Sequence, residues 1–309
     1  VLYAGGEVLY AGTLLPADLA EKMQTRGVTS MIAVPALYRT LKKTVESLYA
    51  SAAHFRVRQN LARAVPHRWR QFLFPELRRV AGHRVRRFIC GGSPLDRDTF
   101  RFFNFLGAPI YQGYGLTETS PVVAVNGPRA NRAESVGPPL PGTEVAIAAD
   151  GEILVRGPQV MRGYYNAPEL TAETIDADGR LHTGDLGTIE DGFLYVTGRL
   201  KELIVLADGR KVQPQEVESA IGQCALVKEV CVVPVEGERG EEVCAIVVSA
   251  APSQDVERDV RKLVTQLRDF KRPHRILVRS EELPKTRTMK VRRKEVQNWA
   301  TQRIGTPDS

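Results

Sequence analysis

The chain has 309 residues, 43% of them hydrophobic and 26% charged, with a formal net charge of +7. This composition excludes an intrinsically disordered chain and is sufficient for two domains with sizeable cores. No apolar run reaches the length that a membrane-spanning helix requires.

The first part of the chain, residues 1–121, predicts alternating strands and helices. Strands are expected at Val28–Val34, Arg86–Cys90 and Pro109–Gln112, and helices at Ala36–Leu48, Phe55–Phe74 with a break at Pro66, and Asp96–Phe105. Strand–helix–strand order with short loops indicates a partial parallel α/β sheet. Its glycine-rich loops follow strands, at the edge where open α/β sheets bind ligands. The apolar opening, Val1–Leu15, is interpreted as a buried strand pair of a truncated domain, because it lacks the features of a signal peptide.

The second part, residues 122–199, predicts a small β-barrel-like subdomain. Short strands are expected at Glu144–Ala148, Glu152–Val155, Leu186–Ile189 and Phe193–Val196, with one helix at Ala167–Thr174. Asp150-Gly151 and Asp191-Gly192 are typical hairpin turns.

The third part, residues 200–309, predicts a separate α+β domain. A hairpin is expected around Asp208-Gly209, strands at Val227–Val235, Glu242–Ser249 and His274–Val278, and helices at Pro214–Ile221, Asp255–Leu267 and Arg293–Arg303. The sequence therefore predicts three parts, with boundaries near residues 121 and 199.

The four cysteines, Cys90, Cys224, Cys231 and Cys244, each lie in an apolar, strand-like run. None forms a Cys-x-x-Cys pair or a Cys/His cluster with zinc-like spacing. Buried free thiols are expected, which fits a reducing cytoplasm.

Basic residues are concentrated in two runs, Arg78–Arg87 and Arg292–Lys294. A basic balance can indicate nucleic-acid binding, but neither run contains the stacking aromatics of a single-strand binder. A solvated basic face is favoured, and a more specific alternative is a patch that attracts ATP, CoA or an acidic carrier protein.

The loop from Tyr111 to Pro121 combines several groups suited to a nucleotide. Gly113 and Gly115 allow backbone to approach a ligand closely, and Tyr114 between them could stack on a base. The Thr117 hydroxyl suits a phosphate oxygen, and the Glu118 carboxylate suits Mg²⁺. Taken alone, the stretch could also be an ordinary glycine-rich turn.

Four further segments stand in a fixed order around this loop: Gly91–Leu95, Leu181–Asp185, Thr197–Glu202 and Leu283–Arg293. Together with the loop, the series resembles the adenylate-forming superfamily of acyl-CoA synthetases, luciferases and peptide-synthetase adenylation domains. The runs Val136–Gly142 and Gly157–Tyr165 also look like that family. The apolar residues Val122–Val125 after the loop make a medium- or long-chain fatty acid–CoA ligase the most similar type.

One element of that family has no counterpart here. Its Ser/Thr/Gly-rich phosphate-binding loop, which ends in lysine, is absent from residues 1–309, and the chain begins at Val1. The expectation is that the chain corresponds to the C-terminal two-thirds of a longer enzyme and is impaired in isolation.

The resemblance implies a reaction in two halves: a carboxylic acid and ATP form acyl-AMP, and a thiol then forms the thioester. It implies catalytic roles for Lys290, Thr117 and Glu118, with Glu118 as the Mg²⁺ ligand. The implied nucleotide-binding residues are Gly91, Gly92, Ser93, Pro94, Tyr111, Gln112, Gly113, Tyr114, Gly115, Thr117, Asp185, Arg199 and Lys290. The family has glycine before this lysine where the chain has Met289, and methionine resists the backbone angles that glycine permits.

The resemblance also implies a mobile C-terminal domain that rotates between the two halves, with Lys201 as the hinge and Gly209 beside the CoA thiol. An acyl-carrier-protein thiol could replace CoA, and a catalytically incompetent nucleotide- or acyl-binding fragment is an alternative from another class. Nucleic-acid binding is supported by net charge alone and is not expected, whereas a peripheral membrane contact is a further candidate interaction.

Overall fold

The computed structural model describes residues 5–12, 15–49, 52–237, 240–286 and 290–305. The chain divides into two compact units. The first unit contains Val1–Ala146, Val155–Leu181 and Ile189–Tyr195, and the second contains Ile147–Leu154, His182–Thr188 and Val196–Ser309. The three-part division at residues 121 and 199 stays a prediction.

The first unit is built on a sheet in the order β1-β2-β3-β4, in which β1, β2 and β3 are parallel and β4 is antiparallel. Its elements are α1 (Pro16–Thr25), β1 (Ser30–Ala33), α2 (Pro35–Ser47), α3 (Ala52–Ala64), α4 (His67–Arg70), α5 (Pro75–Ala81), β2 (Arg87–Cys90), α6 (Arg97–Phe105), β3 (Ile110–Tyr114) and β4 (Ala124–Val125). The predicted parallel α/β sheet is confirmed, and Pro66 separates α3 from α4 as expected.

Local sequence explains why helices α2 and α6 begin where they do and how α2 packs. Helix α2 has proline at its first turn, where the missing N–H costs nothing. Its buried face repeats at Tyr38, Leu41 and Val45, the spacing of an amphipathic helix. The Asp96 carboxylate caps α6 by accepting the Thr99 N–H at 2.8 Å. The Tyr38 hydroxyl lies 3.1 Å from Met31 O and 2.8 Å from Ile89 O, so a buried phenol links β1 to β2.

Strands β5 (Glu144–Ile147), β6 (Glu152–Arg156), β7 (Leu181–Glu190) and β8 (Phe193–Arg199) form a second sheet in sequential order, with helix α7 (Pro168–Thr174) between β6 and β7. The predicted strand Leu186–Ile189 is too short, because β7 begins five residues earlier. The polar, glycine-containing start of β7 has the composition of a turn. The predicted turn between β7 and β8 is confirmed, with positive φ at Asp191 (50°) and Gly192 (79°).

The second unit contains the predicted α+β arrangement. Its elements are β9 (Ile204–Val205), β10 (Lys211–Val212), α8 (Pro214–Ile221), β11 (Glu229–Gly237), β12 (Gly240–Val248), α9 (Ser253–Val264), β13 (Arg275–Arg279) and α10 (Arg293–Gly305). Strand β12 lies between β11, to which it is antiparallel, and β13, to which it is parallel. Alternate residues of β12 pack in two hydrophobic clusters. Helices α8 and α9 contribute to the first cluster and α10 contributes to the second. Residues 243–248 of β12 are therefore buried on both faces, which explains why this part of the strand is continuously apolar.

Two expectations about burial and strands are wrong. Residues 5–12 form no strand and are exposed except at residue 11, and the remainder of the expected Val1–Leu15 strand pair lies partly outside the described residues. A strand needs a paired neighbour, and no pairing reaches residues 5–12 in the structure. Cys224 is buried and free, like the other three cysteines, but it follows α8 in a turn and not in a strand. Among the described residues, no helix has the length and apolar character needed to cross a membrane.

Two of the three buried thiols of the second unit, Cys231 and Cys244, predict a loss of stability in alkali. Burial raises the pKa of Cys231 and of Cys244 to about 12, against about 8.5 in an unfolded chain. Between these values the folded state binds more protons, so the free energy of unfolding falls as pH rises, by up to about 1.4 kcal/mol per pH unit for each thiol. Cys244→Ala should flatten this slope in urea titrations.

The neighbouring Val243→Ala provides the control. Val243 is buried on the same strand and has no ionisable group, so its replacement should lower stability without changing the slope. A Cys244→Ala profile parallel to that of the wild type would contradict the assignment.

Candidate functional site

The loops after β2 and β3 lie side by side at one edge of the first sheet. The parallel register pairs Ile89 with Tyr111 and Cys90 with Gln112, so the chain leaves both strands at the same level. A Cβ placed on Gly91 would lie only 3.7 Å from the Gly113 carbonyl oxygen. In the first loop, residues 92–94 are exposed. The expected meeting of the two glycine-rich loops is therefore present.

The loop after β3 folds back tightly on itself at Gly115. A Cβ at that position would lie 2.0 Å from the Pro121 carbonyl oxygen, so only glycine fits. Thr119 is fully buried, accepts the Leu116 N–H at 2.9 Å and closes a 3-10 turn over Thr117–Thr119. This turn leaves the Thr117 side chain exposed at the sheet edge.

Gly115→Ala should therefore destabilise the first unit by at least about 2 kcal/mol, because the added methyl group overlaps backbone that cannot move away alone. Urea unfolding measures the change. Gly127→Ala is the matched control, since a Cβ there meets nothing within 4 Å. Similar losses in both variants would contradict the steric argument.

Glu118 is held by a residue to which sequence reasoning gave no role. Its Oε1 accepts a hydrogen bond from the Tyr164 hydroxyl at 3.0 Å, and its backbone oxygen accepts the Met161 N–H at 2.8 Å. Desolvation and the bond to Glu118 raise the pKa of Tyr164, so the phenol remains a donor. Tyr164 belongs to the Gly157–Tyr165 run, so the resemblance of that run to the family is the sequence feature that could have indicated its role.

The Asp185 carboxylate is buried and lies against Arg199. Asp185 is 4% exposed, and its Oδ1 lies 2.9 Å from Arg199 Nε. Its backbone N–H donates to Thr183 Oγ1 at 3.1 Å, and that hydroxyl donates to Ile153 O at 2.7 Å. The two predicted residues are thus brought together on neighbouring strands β7 and β8.

A second buried carboxylate, Glu152, fixes the backbone before Asp185. Its Oε1 accepts the Gly184 N–H at 2.7 Å, and its Oε2 lies 2.8 Å from His182 Nδ1. Glu152 was predicted only as the first residue of a strand. The sequence did not indicate a buried role for this carboxylate, because a charged residue at the start of a strand is usually solvated.

Backbone pairing places Lys290 beside the Pro284–Thr286 segment. A bridge joins Lys285 to Val291, and the Thr286 N–H donates to Lys290 O at 2.8 Å. Lys290 is exposed, whereas the Lys285 ammonium donates to Glu229 and is largely buried. Met289, the expected departure from the family pattern, lies outside the described residues.

Lys201 is exposed in a 3-10 turn, Leu200–Glu202, that directly follows β8. The next side chain, Glu202, is fixed: its Oε2 accepts Gln215 Nε2 at 2.5 Å and Arg293 Nε at 3.1 Å. At the predicted hinge, the exposed Lys201 therefore directly precedes Glu202, whose side chain is held by two hydrogen bonds.

Gly209 lies in the turn of the β9–β10 hairpin, as predicted. Its φ is +80°, and a Cβ there would meet nothing within 4 Å, so the glycine is needed for its backbone angle and leaves open space above it. The preceding Asp208 has its pKa lowered by hydrogen bonds from Arg210.

In the described part of the chain, no group of three or more His, Cys, Asp or Glu residues could hold a metal ion. The sequence assigns a single carboxylate, that of Glu118, to a metal ion. Mg²⁺ commonly uses one or two carboxylates together with substrate phosphates and water, so its oxygen donor fits that ion.

Comparison with curated proteins finds ligases of long-chain fatty acids. The chain is 41% identical over 164 residues to the long-chain-fatty-acid–CoA ligase FadD15 of Mycobacterium bovis, covering 53% of this chain and 27% of that protein. It is 36% identical over 228 residues to the long-chain-fatty-acid–CoA ligase of Salmonella typhimurium, covering 69% of this chain and 40% of that protein. The chain thus spans less than half the length of these relatives.

Comparison with solved structures finds the same fold. The ATP-bound MatB from Rhodopseudomonas palustris matches with a TM-score of 0.75 and 26% identity, over 97% of this chain and 56% of that one. The AMP-binding enzyme family matches residues 1–165, and the C-terminal domain of AMP-binding enzymes matches residues 216–290. These two matches include more than half of the chain and confirm the resemblance, so the chain belongs to the AMP-binding enzyme family.

Proposed function

We propose that this chain forms part of an AMP-forming acid–thiol ligase that converts a fatty acid to its acyl-CoA thioester. The observation that carries the proposal is the loop after β3, where Gly115 folds the backbone so that Thr117 is exposed and Glu118 is tethered by Tyr164. The two relatives named as long-chain-fatty-acid–CoA ligases support a fatty acid as the substrate.

The nucleotide would lie at the sheet edge formed by the two glycine-rich loops. Gly91–Pro94 and Tyr111–Tyr114 supply backbone groups and an aromatic face for adenine, and Thr117 supplies a hydroxyl for the α-phosphate. Asp185 would accept hydrogen bonds from the ribose hydroxyls, the usual task of a single carboxylate in a nucleotide site. Arg199, already bound to Asp185, orients that carboxylate and adds a positive charge.

In the first half-reaction, a carboxylate oxygen of the acid attacks the α-phosphorus of ATP. An O–P bond forms, the bond to the β-phosphate oxygen breaks, and pyrophosphate leaves. Mg²⁺ held by Glu118 would help to neutralise the phosphate charge, and the Tyr164 hydroxyl fixes the orientation of the Glu118 carboxylate. Lys290 would supply the cation that bridges the carboxylate and phosphate oxygens, since an ammonium is a compact charge with three rotatable donors.

In the second half-reaction, a thiol sulfur attacks the acyl carbon and an S–C bond forms. The bond from that carbon to the phosphate oxygen of AMP breaks, AMP departs, and the thiol proton passes to water. The open space above Gly209 supports a role beside the incoming pantetheine thiol. Lys201, exposed just before the fixed Glu202, would act as the hinge of a mobile C-terminal domain. The proposal of a mobile C-terminal domain includes a division of the chain into three parts, residues 1–121, 122–199 and 200–309.

Calorimetry with a non-hydrolysable palmitoyl-adenylate analogue tests the proposal directly. The wild-type chain should bind it, and Asp185→Asn should weaken binding by about tenfold or more, because hydrogen bonds to the ionised carboxylate are lost. Asp255→Asn is the matched control, since Asp255 also pairs with an arginine, Arg258, at 2.9 Å, but its side chain in α9 is half-exposed. Absence of binding, or equal losses in the two variants, would refute a nucleotide site at Asp185 in this chain.

The thiol acceptor is the second point to establish. Free CoA is the proposed acceptor, and the thiol of a holo acyl carrier protein is the competing one. Turnover with each acceptor separates them, and binding of the adenylate analogue without turnover of either would identify a non-catalytic binding chain. A cytoplasmic location is part of the proposal and is supported by four buried free cysteines.

A further inference from the structure

The net positive charge of this protein arises from one segment that the proposed reaction does not use. Residues 52–87 contain ten arginines, no lysine and one glutamate, a net charge of +9, so the remaining residues sum to −2. This segment comprises helices α3, α4 and α5 and the connection to β2. Its one acidic side chain, Glu76, is paired with Arg58 at 2.5 Å.

The same segment exposes four large apolar side chains, which we call the exposed apolar group. Val57 is 59% exposed, Leu61 56%, Trp69 52% and Phe72 54%. Val57 and Leu61 are four residues apart and therefore lie on one face of α3, while Ala62 on the same helix is fully buried in the core. Helix α3 thus has apolar side chains on both its buried and its exposed face.

Contacts hold the two aromatic members in place beside arginine. The Trp69 and Phe72 ring centroids are 5.6 Å apart, and the Arg78 guanidinium carbon lies 5.2 Å from the Phe72 centroid. Arg70 Nε donates to Val65 O at 3.0 Å, which fixes α4 against the end of α3. Arg63 in α3 and Arg79 in α5 are exposed nearby in the sequence.

We propose that helices α3–α5 are a docking surface for an anionic lipid bilayer. Arginine forks bind lipid phosphates in pairs of hydrogen bonds and are attracted by the negative surface potential. Tryptophan prefers the membrane–water interface, and aliphatic side chains enter the acyl boundary below it. The exposed apolar group supplies both types of side chain within one strongly basic segment of the protein.

Single-stranded nucleic acid explains these features less well. Base stacking requires open aromatic faces, but the Phe72 ring already contacts both Trp69 and Arg78. The aliphatic side chains of Val57 and Leu61 neither stack on bases nor bind phosphate, whereas burial of aliphatic side chains strengthens binding at a membrane interface. The observations therefore favour lipid, and nucleic acid becomes an outcome of the test.

This inference goes beyond the proposed ligase reaction and is tested independently of it. The measurement is cosedimentation with vesicles in the absence of ATP, CoA and fatty acid. Vesicles of equal parts phosphatidylcholine and phosphatidylglycerol should bind the chain at least about tenfold more tightly than pure phosphatidylcholine, and added salt should weaken the binding.

Paired variants locate the surface. Trp69→Ser/Phe72→Ser should weaken binding to the anionic vesicles by at least about tenfold, and Tyr165→Ser/Leu170→Ser, two exposed apolar residues elsewhere, should bind as the wild type does. Arg63→Gln/Arg79→Gln should also bind more weakly than Lys262→Gln/Arg303→Gln, which removes the same charge outside the segment. Thermal unfolding by circular dichroism checks each fold, and Val57→Asn/Leu61→Asn provides the same test if the aromatic variant does not fold.

Three results would overturn the proposal. The first is no binding of the wild type to anionic vesicles. The second is equal binding by the variants of the segment and by their controls. The third is binding of a single-stranded oligonucleotide that Trp69→Ser/Phe72→Ser abolishes, without binding to vesicles.

Discussion

Replacing Lys290 with alanine is expected to slow acyl-adenylate formation by about 10²–10³-fold, the effect of removing one charged donor from a developing transition-state charge. Transfer from preformed acyl-AMP to CoA should be spared, because the phosphoryl transfer is already complete at that stage. The two rates are measured separately, by pyrophosphate exchange and by thioester formation from supplied acyl-adenylate.

Neighbouring lysines distinguish a catalytic from a structural effect. Lys290 is exposed, so its loss should leave the unfolding temperature unchanged, and Lys294→Ala, exposed four residues later, should alter neither half-reaction. Lys285→Ala, in contrast, leaves Glu229 without its ammonium partner and should lower stability. Equal losses of both half-reactions in Lys290→Ala would contradict its assignment to the first half.

Replacing Arg293 with methionine is expected to cost the second unit about 3 kcal/mol, because it leaves carboxylates without their charged partner. Arg293 Nη1 and Nη2 donate to the two oxygens of Glu218 at 2.6 and 2.9 Å. The same guanidinium donates to Glu202 at 3.1 Å and to Val232 O at 2.8 Å. It thereby joins α10, α8, β11 and the turn that contains Lys201. Desolvation lowers the pKa of Arg293, but the hydrogen bonds and negative charge of Glu218 outweigh it and raise this pKa above its usual value.

The adjacent arginine is the matched control for this prediction. Arg292 pairs with Glu295 at 2.7 Å, but both side chains are half exposed, so Arg292→Met should change the free energy of unfolding by less than about 0.5 kcal/mol. Urea unfolding measures both variants. Adding Glu218→Gln to Arg293→Met should recover part of the loss, since the unpaired charge is then removed. Full additivity of the two changes would show that the pair does not interact.

Several elements follow from local sequence alone. Helix α8 has the predicted bounds, Pro214–Ile221, because proline begins it and its apolar spacing continues to the end. The hairpins at Asp191-Gly192 and Asp208-Gly209 also follow, because these pairs accept the positive φ that a tight turn needs. Strand β7 was predicted too short, because its glycine and polar residues are held in the sheet by Glu152, thirty or more residues away.

The sequence by itself determined the family, the order of the motifs and the residue types of the candidate site. These depend on residue identity and spacing, which are visible along the chain. Only the tertiary structure decided which side chains hold the site residues: Tyr164 on Glu118, Glu152 on Gly184, and Arg293 on Glu202. Such partners are 32 to 91 positions apart, and their contact depends on how strands and helices pack, which no local pattern of hydrophobic and polar residues specifies.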